Sequence, residues 1–207
     1  MALSASLAPP AAHRDHALKA AVFLDKDGTL IHNVPYNVDP RRVALREAAG
    51  PALARLQAAG FALVVVSNQP GVALGFFAES ALDAVSAEIA RQLAAYGVQL
   101  TALYYCPHHP DGRDARYAVA CRCRKPQPGL IQRAAREHRL DLGRSWMIGD
   151  ILDDVEAGHA AGCRSLLLNV GAETEWREGG GRQPDAVVRK FDDAAGEIVR
   201  TSTQGSR

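Results

Sequence analysis

Asp25 and Asp27 stand two residues apart in the string Asp-Lys-Asp-Gly-Thr (25–29), at the point where an apolar run ends. The chain bends there, so both carboxylates can face one site. An aspartate is ionised at neutral pH and is available as a nucleophile. Its neighbour can serve as general acid and base. Two carboxylates side by side want a cation between them. Asp150 arrives from another apolar run, with Asp153 and Asp154 just beyond it. An oxygen-rich set with room for water suits Mg²⁺. Thr29 and Ser67 add hydroxyls, and Lys125 adds an ammonium. The chain has only four lysines, and Lys125 stands in Arg-Lys-Pro-Gln-Pro-Gly, just before a helix start. Carboxylates, Mg²⁺, a hydroxyl and a lysine are what phosphoryl transfer to an aspartate requires. Catalysis of that transfer is mostly positioning and charge neutralisation.

A second constellation is soft where the first is hard. Cys106-Pro-His108-His109 and Cys121-Arg-Cys123 are separated by twelve residues between His108 and Cys121. Three thiolates and one imidazole make a closed tetrahedral Zn²⁺ site, with His109 as the alternative to His108. A closed site has no open position for water, so its expected role is to fold the loop 106–124. Cys163 reads as a small buried residue. Pro9-Pro10 and His13-Arg14-Asp15-His16 interrupt the apolar stretch that an export signal would need. Clustered cysteines without such a signal favour a metal over disulfides, and a cytoplasmic setting.

These residues need elements to hold them. Ala20–Leu24, Phe61–Val66, Leu100–Tyr105, Ser145–Ile148 and Ser165–Val170 are short apolar runs with the form of buried strands. Between them, 46–59, 79–96, 128–138 and 152–161 have helical composition, with Gly60 and Gly97 as C-caps and Pro51 in a first turn. Alternation of this kind implies an α/β fold: a Rossmann-like parallel sheet with helices on both faces. Such sheets bind ligands at the carboxyl ends of their strands. Asp25, Ser67, Asn68 and Asp150 all fall at those ends. Helix capping explains any one of them, but not the set. Residues 20–200 are expected to form the domain, between a flexible segment 1–19 and a flexible tail 201–207. No run between the motifs is long enough for a large cap domain.

The chain has 207 residues, enough to hold a core without disulfide staples. It carries 24 basic and 23 acidic residues, a net charge of +1. That balance leaves no electrostatic footprint for nucleic acid and no polybasic membrane patch. No apolar run approaches the roughly 18 residues of a membrane span. Neither nucleic acid nor membrane is an expected partner, and the chain is expected to be a monomer.

Asp25-x-Asp27-Gly28-Thr29, Ser67-Asn68-Gln69, Lys125-Pro126 and Gly149-Asp150-x-x-x-Asp154 resemble the four motifs of the haloacid dehalogenase (HAD) superfamily, in the right order, over residues 20–170. The resemblance implies Asp25 as nucleophile and Asp27 as general acid/base. It implies Ser67 and Lys125 as holders of the phosphoryl group. Mg²⁺ would be held by Asp25, Asp150 and the Asp27 carbonyl, with Asp154 supporting from behind. Within the superfamily, Cys-Pro-His-His-Pro followed by a long loop and Cys-x-Cys-Arg-Lys-Pro resembles the heptose bisphosphate phosphatases. The similar histidinol-phosphate phosphatases have a shorter stretch between the zinc pairs. That resemblance implies a small phosphorylated sugar as the partner, with substrate contacts at Asn33, Tyr36, Asn68, Gln69 and Arg124. Two positions depart from the pattern. Leu74 stands where those enzymes carry a basic residue, and Ile151 where they carry lysine.

Overall fold

The computed structural model describes residues 18–173 and 179–204. Six strands form one parallel sheet: β1 (Lys19–Leu24), β2 (Ala62–Asn68), β3 (Ala102–Cys106), β4 (Leu140–Gly149), β5 (Arg164–Leu168) and β6 (Ala186–Val188). Their order is β3-β2-β1-β4-β5-β6. Five helices connect and cover them: α1 (Ala49–Ala58), α2 (Ala81–Ala94), α3 (Gly129–His138), α4 (Leu152–Ala161) and α5 (Phe191–Gln204).

The central strands read as unbroken apolar runs because both faces of the sheet are covered. Successive side chains alternate between two cores. Val22, Leu24, Leu63 and Val65 point toward Leu53 and Leu56 of α1, Ile89 and Leu93 of α2, and Phe191 and Ile198 of α5. Ala21, Phe23, Val64, Val66 and Met147 point the other way, toward Leu130, Ile131 and Ala134 of α3 and Ala157 of α4. Strand order reverses at β1, with β2 on one side and β4 on the other. The crevice at the carboxyl ends of β1 and β4 is the place where such sheets bind ligands.

Three features extend beyond the sequence reading. β4 starts at Leu140, five residues before Ser145, because its first residues pair with Lys19 and Ala20 ahead of an irregularity in the register. β6 is a short edge strand beside β5. The chain's polar ending is a helix through Gln204. Phe191, Ala194, Ala195 and Ile198 of α5 are buried at helical spacing, and the helix packs on α1. Lys19, assigned to the flexible lead-in, is the first residue of β1. The rest of that lead-in up to residue 17, and the tail 205–207, lie outside the described residues. Among those described, no helix is long and apolar enough to cross a membrane.

Candidate active site

Asp25 is the first residue past β1, and its N–H donates to the Ile148 carbonyl of β4 at 2.9 Å. The two loops that leave β1 and β4 therefore start side by side. Gly28 turns the first loop with φ +91°, and a Cβ there would lie 2.1 Å from Asp150 Oδ2. Only glycine allows both the left-handed turn and that approach. One residue on, Thr29 Oγ1 donates to Asp150 Oδ1 at 2.9 Å. Asp154, wholly buried in the first turn of α4, accepts from the Ile151 N–H at 3.4 Å.

Lys125 closes the group from the other side of β1. Its Nζ contacts Asp25 Oδ1, lies 2.5 Å from Asp154 Oδ1 and donates to the Val66 carbonyl at 3.1 Å. One oxygen each from Asp25, Asp150 and Asp154 lie within 4.8 Å of one another. Burial pushes the Asp25 carboxyl up to about 7, against the pull of Lys125 and with a push from Asp154. Burial, then the charge of Asp25, pushes Asp150 up to about 6. Asp154 moves upward for the same first reason. Lys125 loses proton affinity to burial but gains more from Asp154 and Asp25, so it stays charged. Three buried carboxylates thus face one ammonium. One divalent cation would supply the missing charge, and an all-oxygen donor set fits Mg²⁺.

Asp27 stands apart from that trio. Its Oδ2 accepts from Gln69 Nε2 at 2.7 Å and pairs with Lys26 Nζ at 3.1 Å. The same Gln69 nitrogen donates to Ser67 Oγ at 2.8 Å. Gln69, expected on the substrate, spends its amide nitrogen on these two side chains. Asn68, also expected on the substrate, spends its whole carboxamide on the Lys125 backbone: Nδ2 donates to the carbonyl at 3.1 Å and Oδ1 accepts from the N–H at 3.0 Å. Asn33 and Tyr36 are exposed on the loop after β1. Tyr36 sits edge-on to Phe76 with ring centroids 4.6 Å apart, which links that loop to the one after β2. Arg124 Nη1 is buried without a hydrogen-bond partner among the described residues, so it is free to donate.

The soft cluster forms as the spacing implied. Cys106, His108, Cys121 and Cys123 bring one donor atom each within 4.8 Å of the others. Cys123 Sγ lies 3.1 Å from Cys106 Sγ, 3.2 Å from Cys121 Sγ and 3.2 Å from His108 Nδ1. His109 is turned away and accepts from the Asp111 N–H at 3.2 Å. Burial, then the hydrogen bond with Cys123, raises the Cys106 thiol well above its ordinary range. A cation replacing those protons would relieve the crowding, and three sulfurs with one imidazole are compatible with zinc. The cysteine loop is tied to the loop after β2 by backbone bonds. The Gln69 N–H donates to the Cys106 carbonyl at 2.8 Å, and the Ala73 N–H to the Pro107 carbonyl at 3.2 Å. Cys163 is buried away from the cluster, and burial pushes its thiol to about 12.

Two contributors escaped the sequence reading. Glu173 Oε2 accepts from the Leu152 N–H at 2.6 Å and so caps α4 beside Asp150. Lys26 is buried next to Asp27, and its place between the two motif aspartates was the one available signal. Among the described residues, no separate cap domain stands over the site.

Comparison with known proteins shows the family. The HAD-hydrolase-like family model matches residues 122–194. A D-glycero-beta-D-manno-heptose-1,7-bisphosphate 7-phosphatase of Haemophilus ducreyi is 40% identical over 153 residues, 72% of this chain and 82% of that protein. The chain belongs to the heptose bisphosphate phosphatase family of HAD-like hydrolases. Members and neighbours of the family share the fold. A putative HAD-like phosphatase from Mesorhizobium loti superposes with a TM-score of 0.78 at 30% identity, over 98% of this chain and 91% of that one. The D,D-heptose 1,7-bisphosphate phosphatase from B. bronchiseptica, complexed with magnesium and phosphate, gives a TM-score of 0.72 at 29% identity, over 88% and 99%. As a member of this phosphatase family, the chain is an enzyme of the phosphoric monoester hydrolase class.

Proposed function

We propose that this chain removes the 7-phosphate of D-glycero-D-manno-heptose 1,7-bisphosphate, in the supply of heptose for lipopolysaccharide, with Mg²⁺ at the aspartates and structural Zn²⁺ at the cysteines. The observation that carries the chemistry is the meeting of Asp25, Asp150, Asp154 and Lys125 at the sheet's switch point, beside Asp27.

Asp25 attacks phosphorus through a carboxylate oxygen, and the bond from phosphorus to the sugar oxygen breaks. Asp27 hands its proton to that departing oxygen. Water then attacks the aspartyl phosphate as Asp27 takes back a proton, releasing phosphate and restoring Asp25. Lys125 and Ser67 hold phosphoryl oxygens. Mg²⁺, held by Asp25, Asp150 and the Asp27 carbonyl with Asp154 behind, would neutralise phosphoryl charge. Asp25 and Lys125 touch before substrate arrives, so the phosphoryl group enters between them.

The far phosphate needs a donor away from Asp25. Arg124 adjoins both Lys125 and the cluster residue Cys123, and its buried Nη1 lacks a partner. A guanidinium grips phosphate well. Leu74 and Ile151, uncharged where the relatives' pattern is basic, favour a second reading: a histidinol phosphate or another small sugar monophosphate. Free clustered thiols support a reducing, cytoplasmic setting.

The test is kcat/KM for heptose 1,7-bisphosphate against histidinol phosphate and hexose monophosphates. The bisphosphate is expected to lead by at least about tenfold, roughly 1.4 kcal/mol of transition-state binding. Equal efficiency on mono- and bisphosphates would leave only the general phosphatase reading.

A further inference from the structure

Lys26 and Lys125 are the two buried lysines of a chain that otherwise prefers arginine. Lys125 has a role in the site. Lys26 has none so far, yet its side chain is only 5% exposed. Burying an ammonium is costly unless it is paired. Among the described residues its one ion-pair partner is the adjoining Asp27, at Oδ2. Gln69 Nε2 donates to the same oxygen at 2.7 Å. An ammonium and an amide N–H from two different loops thus meet at Oδ2, the first as an ion pair and the second as a hydrogen bond, whereas Oδ1 has no hydrogen-bond partner among the described residues.

We propose that Lys26 is a positioning residue for proton transfer: with Gln69 it clamps Oδ2 of Asp27 and leaves Oδ1 as the oxygen that moves the proton. This rests on the reading of Asp27 as general acid/base. The clamp works in both halves of the reaction. When Asp27 is a carboxylic acid, the proton sits on Oδ1 and Oδ2 is the carbonyl oxygen, which still accepts from Lys26 and Gln69. When the P–O bond to the sugar breaks, the electron pair goes to the sugar oxygen and the Oδ1 proton follows it. Asp27 is then a carboxylate, its orientation unchanged, and Oδ1 accepts a proton from the water that attacks the aspartyl phosphate. Without Lys26, the carboxylate is held by one neutral donor and can rotate, so either oxygen can face the substrate. Gln69 also bonds Ser67, so the clamp is referenced to the residue expected to hold the phosphoryl group.

Proton donation matters only when the leaving oxygen is a poor leaving group. p-Nitrophenolate departs unaided, whereas a sugar alkoxide does not. Lys26→Met keeps the stem and removes the ammonium. In the holoenzyme with Mg²⁺, we expect it to lower kcat/KM for heptose 1,7-bisphosphate about 10²-fold and for p-nitrophenyl phosphate by less than about threefold, since general acid catalysis typically contributes 10²–10⁴-fold. Thermal melting checks that the variant is folded. Should it not accumulate, Lys26→Gln, whose neutral amide is too short to reach Oδ2, repeats the comparison. Asp27→Asn is measured alongside. If Asp27→Asn separates the two substrates and the Lys26 variants do not, whether both rates fall together or neither falls, the clamp is overturned and Asp27 keeps its role. If Asp27→Asn does not separate them, the acid/base reading fails and the clamp fails with it. Any sugar monophosphate that the wild type hydrolyses serves in place of the bisphosphate, so the comparison survives an error in the substrate.

Discussion

Asn68 and Lys125, 57 positions apart, exchange two hydrogen bonds through one side chain: the Asn68 carboxamide donates to the Lys125 carbonyl and accepts from its N–H. The end of β2 thereby fixes the peptide that carries the lysine proposed to hold the phosphoryl group. The same peptide lies two residues past Cys123, so it is held from the cysteine loop as well.

Asn68→Ala removes both bonds while leaving every charged group in place. About 1–3 kcal/mol of stability should be lost, since the Lys125 backbone groups are left unpaired. Lys125 should sit less accurately, lowering kcat about 10–100-fold, because small misplacements are costly in oriented sites. Urea unfolding and steady-state kinetics measure the two effects. Wild-type kcat in a destabilised variant would show that Lys125 holds its place without Asn68.

Asp25→Asn keeps the shape of the side chain and removes the proposed nucleophile. We expect kcat to fall by roughly 10⁴-fold or more, with no rescue by added Mg²⁺. Residual activity above a tenth of wild type, with deamidation excluded by mass spectrometry, would contradict an aspartyl-phosphate route.

The raised carboxyls of Asp25, about 7, and Asp150, about 6, have a consequence for stability. Both lie above the value of 3.8 expected in the unfolded chain, so the metal-free folded protein binds more protons than the unfolded one between those limits. Their contribution is therefore present at the acid end of the window and is lost as pH rises through about 6 to 7. Melting temperature in EDTA should carry this downward component, and Asp150→Asn should make it shallower. Excess Mg²⁺ should raise the melting temperature most at the alkaline end, where the carboxylates are free to bind it. At 100 times its Kd, about 2.7 kcal/mol is expected. A Mg²⁺ effect independent of pH would place the ion elsewhere.

One tightly held zinc per chain is expected in protein purified without added metal, because thiolates and imidazole select it where carboxylates select Mg²⁺. Elemental analysis decides this: active, reduced protein without zinc would remove the ion from the cysteine site. Cys121→Ser should lose zinc and raise KM, through the backbone bonds that tie Cys106 and Pro107 to Gln69 and Ala73. Cys163→Ser should keep zinc, since Cys163 is remote from the cluster.

Arg124→Ala should raise KM for a sugar bisphosphate about tenfold or more and leave a monophosphate nearly unchanged, the difference being one charge-assisted contact. Parallel losses on both substrates would put Arg124 at the reacting phosphate instead.

The sheet and the site were legible to different depths. Apolar runs ending in Asp25, Ser67 and Asp150 mark both the strands and the face where chemistry sits, because a parallel sheet buries its strands and exposes their carboxyl ends. The cysteine and histidine spacing likewise marks a cluster, since loop residues can meet only if the loop folds back. α5 was hidden by composition: its buried Phe191, Ala194, Ala195 and Ile198 are outnumbered by acids, threonines and serines on the open face. β6 is three residues long and borrows its form from β5. What no local pattern encodes is which polar side chain meets which. Asn68 and Gln69 look like ligand-binding groups in the sequence. Their bonds to protein could not be read there, because the partners, the Lys125 backbone and Asp27, are brought to them only by the assembled sheet.

Gly28 passes so close to Asp150 that its missing methyl group is the space the carboxylate occupies. Position 28 is therefore closed to exploration: a library randomised there and selected for turnover should return glycine alone, since alanine would have to expel Asp150. Gly60 also has a positive φ, but nothing lies within 4 Å of where its Cβ would be. Asparagine or aspartate should survive there. Two glycines with nearly the same backbone angle thus face opposite evolutionary latitude, and the difference is whether another loop's oxygen stands in the way.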